Sequence, residues 1–147
     1  MSAALSAARR AERLGEVPIG AIVVIGGEII ARGHNETIRA HDPTAHAEIL
    51  AIRRAARKLG THRLVDAELH VTLEPCAMCV GAMIQARIRA LHFACRDPKA
   101  GAVVSVHQLA SDRRLNHRIP LIREGALAEE CRTLLQSFFR ARRAEQR

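Results

Sequence analysis

Apolar residues recur at two different spacings along this chain, and each spacing predicts a different kind of element. A recurrence every three or four residues is that of a helix with one buried face. Four segments are predicted to be helical, and they cover residues 3–14, 45–59, 76–86 and a stretch from Leu127 through Phe138 and Phe139. Gly15 and Gly60 follow two of these segments directly and predict where those helices end.

Short runs of β-branched and other apolar residues predict strands. Five runs of this kind occur, at residues 17–25, 28–33, 68–73, 90–94 and 119–123. Gly26 and Gly27 separate the first two runs, and both can adopt a positive φ. We therefore expect a two-residue hairpin that joins two antiparallel strands. Residues 103–110 are ambiguous between a strand and a short helix.

The predicted elements follow the order α-β-β-α-β-α-β-β-α, without a repeat or a linker. This order predicts an α/β protein, with a three-layer α/β/α sandwich around a single mixed five-stranded sheet. A chain of 147 residues has the length of one domain. We expect residues 1–147 to form that domain.

The composition and the charge predict the kind of partner and the cellular compartment. A hydrophobic content of 48% is typical of a soluble globular protein. The net charge of +8 favours a polyanionic partner such as nucleic acid, although all but two of the basic residues are arginine, and an arginine-rich proteome alone gives the same excess. The N-terminal residues do not resemble a secretory signal, and no apolar run is long enough for a membrane span. We expect a cytoplasmic protein without membrane contact.

Three residues have the chemistry of a metal site. Cys76 and Cys79 stand at the predicted start of a helix, where the exposed N–H groups and the helix dipole favour thiolates. His46 begins the preceding helix and offers an imidazole. Two thiolates and one imidazole suit zinc, and three protein ligands leave one position open, as in catalytic zinc sites.

A fourth protein ligand would turn this site into a structural one. Cys131 lies on the apolar stripe of the last helix, where a buried free cysteine is ordinary. Cys95 ends a predicted strand and stays open as a candidate. Glu48 favours catalysis, because a carboxylate beside an activated water can take and return a proton. Residues at i and i+2 of a helix point apart, so His46 and Glu48 act together only if His46 lies in an irregular first turn or if the Glu48 side chain reaches round the helix.

The motifs His46-Ala-Glu48 and Pro75-Cys-Ala-Met-Cys79 resemble the signature of the zinc-dependent nucleobase deaminases. Further segments are similar to the bacterial tRNA-specific adenosine deaminases within that superfamily. They are residues 16–21, 34–35, 41–49, 71–79, 81–84, 96–102, 116–118 and 138–140, which together span essentially the whole chain. The resemblance implies a cytidine deaminase-like fold and a homodimer with one zinc ion per subunit.

It also implies a reaction, which is hydrolytic deamination of the wobble adenosine to inosine in a tRNA anticodon stem-loop. By position, the resemblance makes His46, Cys76 and Cys79 the zinc ligands and Glu48 the proton shuttle. It assigns contacts with the target base or the surrounding RNA to Asn35, Asp97, Lys99, Phe139 and Arg142. Phe138 and Phe139 both lie on the apolar stripe of the last helix, so we expect at least one of them to pack inside.

Two alternatives remain at the level of sequence. A free nucleobase deaminase acting on guanine or cytosine compounds would carry the same motif, although the basic composition and the Phe138-Phe-Arg140 ending favour RNA. A non-catalytic, zinc-stabilised RNA-binding module is the other alternative, and Glu48 beside an open metal position argues against it.

Overall fold

The computed structural model describes residues 1–147. Its four helices are α1 (Ser2–Arg13), α2 (Ala47–Leu59), α3 (Ala77–Gln85) and α4 (Ala128–Glu145). Its five strands are β1 (Gly20–Ile25), β2 (Glu28–His34), β3 (Glu68–Leu73), β4 (Ala90–Cys95) and β5 (Leu121–Glu124). The order of helices and strands agrees with the sequence prediction, and a single turn of 3-10 helix at Leu109–Ser111 is the one addition.

All five strands form one mixed sheet in the order β2-β1-β3-β4-β5. β1 is antiparallel to both of its neighbours, whereas β3, β4 and β5 are parallel to one another. The predicted hairpin joins β1 and β2, with φ values of 57° at Gly26 and 81° at Gly27. The predicted mixed five-stranded sheet is confirmed.

The helices cover the sheet from both sides. α2 and α3 lie on one face over the larger apolar core, and α1 and α4 lie on the other over a smaller cluster. Two glycines allow close packing, because a Cβ at Gly20 would meet the α1 backbone and a Cβ at Gly33 would meet the α2 backbone. The result is the predicted three-layer sandwich.

The ends of several elements differ from the prediction. β1 begins at Gly20 rather than at residue 17, because Pro18 lacks an N–H and the Ile19 N–H bonds back to the carbonyl of Val17. β5 begins at Leu121, after Pro120, instead of at residue 119. The other predicted ends agree with the structure to within two residues, except that α4 continues beyond the predicted stretch to Glu145.

The ambiguous segment 103–110 is neither a strand nor a regular helix. It runs as turns up to the 3-10 helix, and its first backbone N–H groups bind a side chain rather than a neighbouring strand. Elsewhere in the fold, the helices are all too short or too polar to cross a lipid bilayer.

Candidate active site

The two predicted metal-binding segments occupy equivalent places at the starts of α2 and α3. His46 is the residue just before α2, with φ −73° and ψ 152°, and Cys76 is the residue just before α3, with φ −77° and ψ 175°. Both therefore have extended backbones outside the regular helix. This geometry removes the obstacle to joint action of His46 and Glu48, since only Glu48 is held in helical geometry.

The three donor atoms lie close together. His46 Nδ1 is 3.6 Å from Cys76 Sγ and 3.6 Å from Cys79 Sγ, and all three donor atoms lie within 4.8 Å of one another. A tetrahedral zinc ion with bonds of about 2.3 Å to sulfur and about 2.0–2.1 Å to nitrogen separates those atoms by about 3.6 Å. The donor set therefore fits zinc in both chemistry and spacing.

The two thiols compete for a single negative charge. The Cys79 thiol, together with His46, holds the pKa of Cys76 down to about 4, even though burial acts in the opposite direction. The adjacent Cys76 and burial raise the pKa of Cys79. A divalent cation relieves this competition, because it stabilises both thiolates at once.

The other two cysteines lie elsewhere. The Cys95 thiol donates to the carbonyl of Thr72 at 3.4 Å. Both Cys95 and Cys131 belong to the small apolar cluster beneath α1 and α4, and neither joins the group of His46 and the two α3 cysteines. Among cysteines and histidines, the site therefore has three candidate ligands and no fourth.

Glu48 lies in the first turn of α2 and is 4% exposed. Burial raises the pKa of its carboxyl group, and the neighbouring Cys79 thiol and His46 oppose that rise only in part. A buried carboxylate with a raised pKa beside a candidate metal site is suited to accept a proton and to release it again.

Asn35 connects the sheet to the start of α2. Its Oδ1 accepts a hydrogen bond from the N–H of Ala47 at 2.9 Å, and its backbone N–H donates to the carbonyl of Ile19. The side chain thus satisfies an unpaired N–H at the start of the helix that follows His46. Its Nδ2 makes no hydrogen bond within the chain.

Glu74 is a buried carboxylate whose role the sequence did not reveal. It stands two residues before Cys76 and accepts hydrogen bonds from the backbone N–H groups of Asp97, Val103, Val104 and Ser105 at 2.9–3.1 Å, and a short one from the Ser105 hydroxyl. A Cβ at Gly101 would collide with this carboxylate. Glu74 therefore holds the loop after β4 against the start of α3.

Glu16 has an equivalent role on the other side. It is fully buried and accepts from the N–H groups of Ile38 and Arg39 at 3.2 and 2.7 Å, which fixes the loop that precedes His46. The sequence pattern predicts a strand that ends at residue 73, directly before Glu74, and gives this carboxylate no role. The available signal in the sequence was the position of Glu74 beside Pro75 in an otherwise apolar segment, where a charged side chain must have buried hydrogen-bond partners.

An open groove of about 900 Å³ runs between the loop after β4 and the last helix. Three of the predicted RNA-contact residues line it together, namely Asp97, Lys99 and Phe139. The metal-site residues do not line it, but Leu73 and Ile19 do. Leu73 shortly precedes the α3 motif in the chain, and the carbonyl of Ile19 accepts a hydrogen bond from the backbone N–H of Asn35, so the groove contacts segments that lead to the metal site.

The groove is basic. Five cationic side chains line it, which are Arg96, Lys99, Arg132, Arg140 and Arg143. Arg96 is paired with Glu124 and Arg132 with Glu129, whereas Lys99, Arg140 and Arg143 make no ion pair within the chain. These three charges are available to an anionic partner.

The two adjacent phenylalanines of α4 differ in exposure. Phe138 is 8% exposed and packs inside, while Phe139 is 44% exposed and faces the groove. Arg142 does not line the groove: its guanidinium donates to the carbonyl of Gly15 and lies 5.1 Å from the centre of the Phe138 ring. Arg142 thereby fastens the end of α4 to the end of α1.

Comparison with known proteins shows which family the chain resembles. The sequence profile of the MafB19-like deaminases matches residues 1–143. The tRNA-specific adenosine deaminase of Bacillus subtilis (strain 168) is 45% identical over 147 residues, which cover 100% of this chain and 91% of that protein. The chain belongs to the tRNA-specific adenosine deaminase family. Its fold agrees, since a solved structure from a study of A-to-I editing by tRNA:A34 deaminases superposes with a TM-score of 0.88, at 46% identity over 92% of this chain and 97% of that one.

The wider superfamily contains enzymes for other bases. Guanine deaminase from Nitrosomonas europaea superposes with a TM-score of 0.79 over 93% of this chain and 81% of its own, at 26% identity. The fold alone therefore does not choose between RNA and a free base. The higher identity to the tRNA-specific enzymes, over the full length of the chain, favours RNA.

Proposed function

We propose that this chain is a hydrolase that converts the wobble adenosine of a tRNA anticodon to inosine. His46, Cys76 and Cys79 hold one zinc ion per subunit, and Glu48 moves the protons. The observation that supports this most directly is the pair of 3.6 Å distances from His46 Nδ1 to the two sulfurs, with buried Glu48 facing the same cluster.

The reaction adds water to the adenine ring and releases ammonia. Zinc supplies, when bound, the positive charge that lowers the pKa of a water molecule toward neutrality. Glu48 accepts a proton from the attacking water as its oxygen bonds to the ring carbon that carries the amine. Glu48 then delivers that proton to the adjacent ring nitrogen, and a further proton transfer through Glu48 lets the amine leave as ammonia, which leaves inosine.

Asn35 is proposed to orient the nucleoside. Its Oδ1 is committed to the Ala47 N–H, so the remaining polar group is Nδ2, a donor for an acceptor atom on the target base or its ribose. Because the same side chain fixes the residue that follows His46, the position of the substrate and that of the metal ligand are linked.

The groove is the proposed path of the anticodon loop. Phe139 offers a half-exposed ring on which an unstacked base can lie, and Lys99 offers a charge for phosphate. Asp97 orders the loop that carries Lys99, because its carboxylate accepts from the backbone N–H groups of Lys99 and Ala100. Arg142 is proposed to contact RNA with the part of its guanidinium that the Gly15 contact leaves exposed.

Incubation of the purified protein with an anticodon stem-loop bearing adenosine at the wobble position, and separately with free guanine, tests the choice of substrate. We expect inosine in the RNA and no ammonia from guanine. Ammonia from guanine with unchanged RNA would establish the free-base alternative. Zinc binding and RNA binding without turnover on either substrate would establish the non-catalytic module.

The chain offers a matched test of the groove, since its two lysines are Lys99 in the groove and Lys58 near the end of α2 on the other face. Lys99→Ala should weaken RNA binding and reduce the slope of log affinity against log salt by about 1. Lys58→Ala should leave the slope unchanged. Equal slopes in the two variants would contradict the proposal that RNA binds along the groove.

Three further parts complete the proposal, and of these the dimer rests on the family alone. We propose a cytoplasmic homodimer in which residues 1–147 form a single domain in each subunit. Light scattering of the purified protein and metal analysis should give two chains and two catalytic zinc ions per particle. A monomer with full activity would contradict the dimer and leave the chemistry intact.

A further inference from the structure

A second group of candidate metal ligands lies on neighbouring strands of the sheet. His70 in β3 and His92 in β4 are paired in the parallel register, and their rings stack with centres 4.2 Å apart and planes within 5°. Glu68 begins β3 two residues earlier and therefore projects from the same face. The intervening apolar residues of both strands belong to the larger core, so the cluster is on the face of α1 and α4.

Both imidazoles converge on one carboxylate oxygen. Glu68 Oε2 lies 3.5 Å from His70 Nε2 and 3.4 Å from His92 Nε2, too far for strong hydrogen bonds. His92 Nε2 is shielded from solvent and has no hydrogen-bond partner. A buried polar atom without a partner costs free energy and calls for an explanation such as a bound ion.

The spacing of these atoms is the one that a tetrahedral metal requires. Bonds of about 2.0–2.2 Å from zinc to nitrogen and oxygen place neighbouring ligand atoms about 3.4 Å apart. The two nitrogen-to-oxygen distances agree with this value, and the three donor atoms lie within 4.8 Å of one another. The rings are nearly parallel, so each needs a small inward tilt to direct both lone pairs at one ion.

The surroundings leave the donor atoms in the state that a metal needs. Arg89 binds the other oxygen of Glu68 at 2.8 Å, which leaves Oε2 for a cation but also brings a competing positive charge. Burial lowers the pKa of His70, and the neighbouring His92 and the N-terminal amino group act in the same direction. A neutral imidazole is the form that ligates metals.

We propose that Glu68, His70 and His92 form a second site for a divalent transition-metal ion of the zinc class, separate from the active site. Two imidazoles and one carboxylate are an established zinc donor set, and they also suit Co²⁺, Ni²⁺ and Cu²⁺. Three strand residues, or about 10 Å, separate His70 from Leu73, after which the chain leads to Cys76. The ion would join β3 to β4 at the end of the strands away from the catalytic residues.

Cobalt titration of protein that carries one equivalent of zinc, which the catalytic site with its two thiolates takes first, tests this second site. Co²⁺ bound by nitrogen and oxygen gives visible d–d absorption without the near-ultraviolet charge-transfer band that a cysteine-bound cobalt produces, so exchange into the catalytic site is distinguishable. We expect one equivalent of sulfur-free cobalt binding in the wild-type protein. The binding should be lost in His92→Gln and His70→Gln, and retained in His62→Gln, whose histidine is exposed and outside the cluster.

Arg89→Ala is expected to raise cobalt affinity, whereas the histidine variants lose it. A folding defect would not raise the affinity. Removal of the guanidinium eliminates the competing charge and frees Glu68 Oε1, so cobalt affinity should rise several-fold. Deamination by His92→Gln should equal that of the wild type. Absence of sulfur-free cobalt binding in the wild type, equal binding in His92→Gln, or unchanged or weaker affinity in Arg89→Ala would each overturn the proposal.

Discussion

Glu48 and Glu74 are the same residue type in nearly the same degree of burial, yet their environments have opposite effects. Each stands two residues from a candidate metal ligand, Glu48 after His46 and Glu74 before Cys76, and they are 4% and 2% exposed. Burial raises the pKa of Glu48. Burial also acts to raise that of Glu74, but the Ser105 hydroxyl and several backbone N–H groups outweigh it and lower the pKa.

The two carboxylates differ in the hydrogen-bond donors that face them. Glu74 is surrounded by N–H groups that stabilise its negative charge and hold it in place, so it is poorly suited to take up a proton. Glu48 faces a thiol and an imidazole that themselves belong to the candidate metal site. A buried carboxylate near a metal is therefore a catalytic candidate only when its hydrogen bonds leave it free to change protonation state.

The largest expected effect is that of Glu48→Gln on turnover. The amide keeps the volume of the side chain but cannot accept and return a proton, so inosine formation should fall by about 10²–10⁴-fold. Zinc content should stay at that of the wild type, because Glu48 is not among the three donors. Assays of inosine and of metal on the same preparation check both parts, and normal turnover in this variant would refute the assignment.

Glu74→Gln should act mainly on stability and on RNA binding. The new NH₂ group faces N–H donors that lose their acceptor, so the free energy of unfolding should fall by about 3 kcal/mol. The loop that carries Asp97 and Lys99 should loosen, which raises KM for the stem-loop more than it lowers kcat. Urea unfolding and steady-state kinetics measure the two effects.

Glu124→Gln is the matched control, because Glu124 makes a partly exposed ion pair with Arg96 on the same loop. It should cost less than about 1 kcal/mol. If the two variants lost equal stability, the loop would be held by its surface charges and the contrast between Glu48 and Glu74 would lose its basis.

Local sequence signals predicted most of the fold. Gly26 and Gly27 predicted a two-residue turn, and the apolar runs predicted strands. The order of the elements could therefore be predicted from short segments of the sequence. The candidate metal ligands were accessible for the same reason, since Cys76 and Cys79 are neighbours on one helical turn. His46 lies 30 positions before Cys76. Its place in the same site was predicted because an imidazole and two thiolates together suit zinc.

Long-range partners were not accessible in this way. Glu74 binds residues 23 to 31 positions later, and no local pattern encodes those contacts. The pairing of His70 with His92 depends on the register of two parallel strands, which the sequence does not display. Residues 103–110 looked ambiguous because their backbone N–H groups are satisfied by the Glu74 side chain instead of by a regular ladder.

The smallest expected effect is a difference in acid stability between the wild type and Glu74→Gln. Because the pKa of Glu74 is lower in the folded chain than the ordinary value of about 4.3, its charge stabilises the fold above that value. The stabilisation is lost as pH falls through the lowered pKa. Unfolding free energies measured from pH 7 to pH 3 should therefore decline more steeply below about pH 5 in the wild type than in Glu74→Gln, which has no carboxyl group at this position to protonate. Parallel curves would show that the hydrogen bonds to Glu74 do not favour its charged form. The contrast between a lowered pKa at Glu74 and a raised pKa at Glu48 would then be wrong.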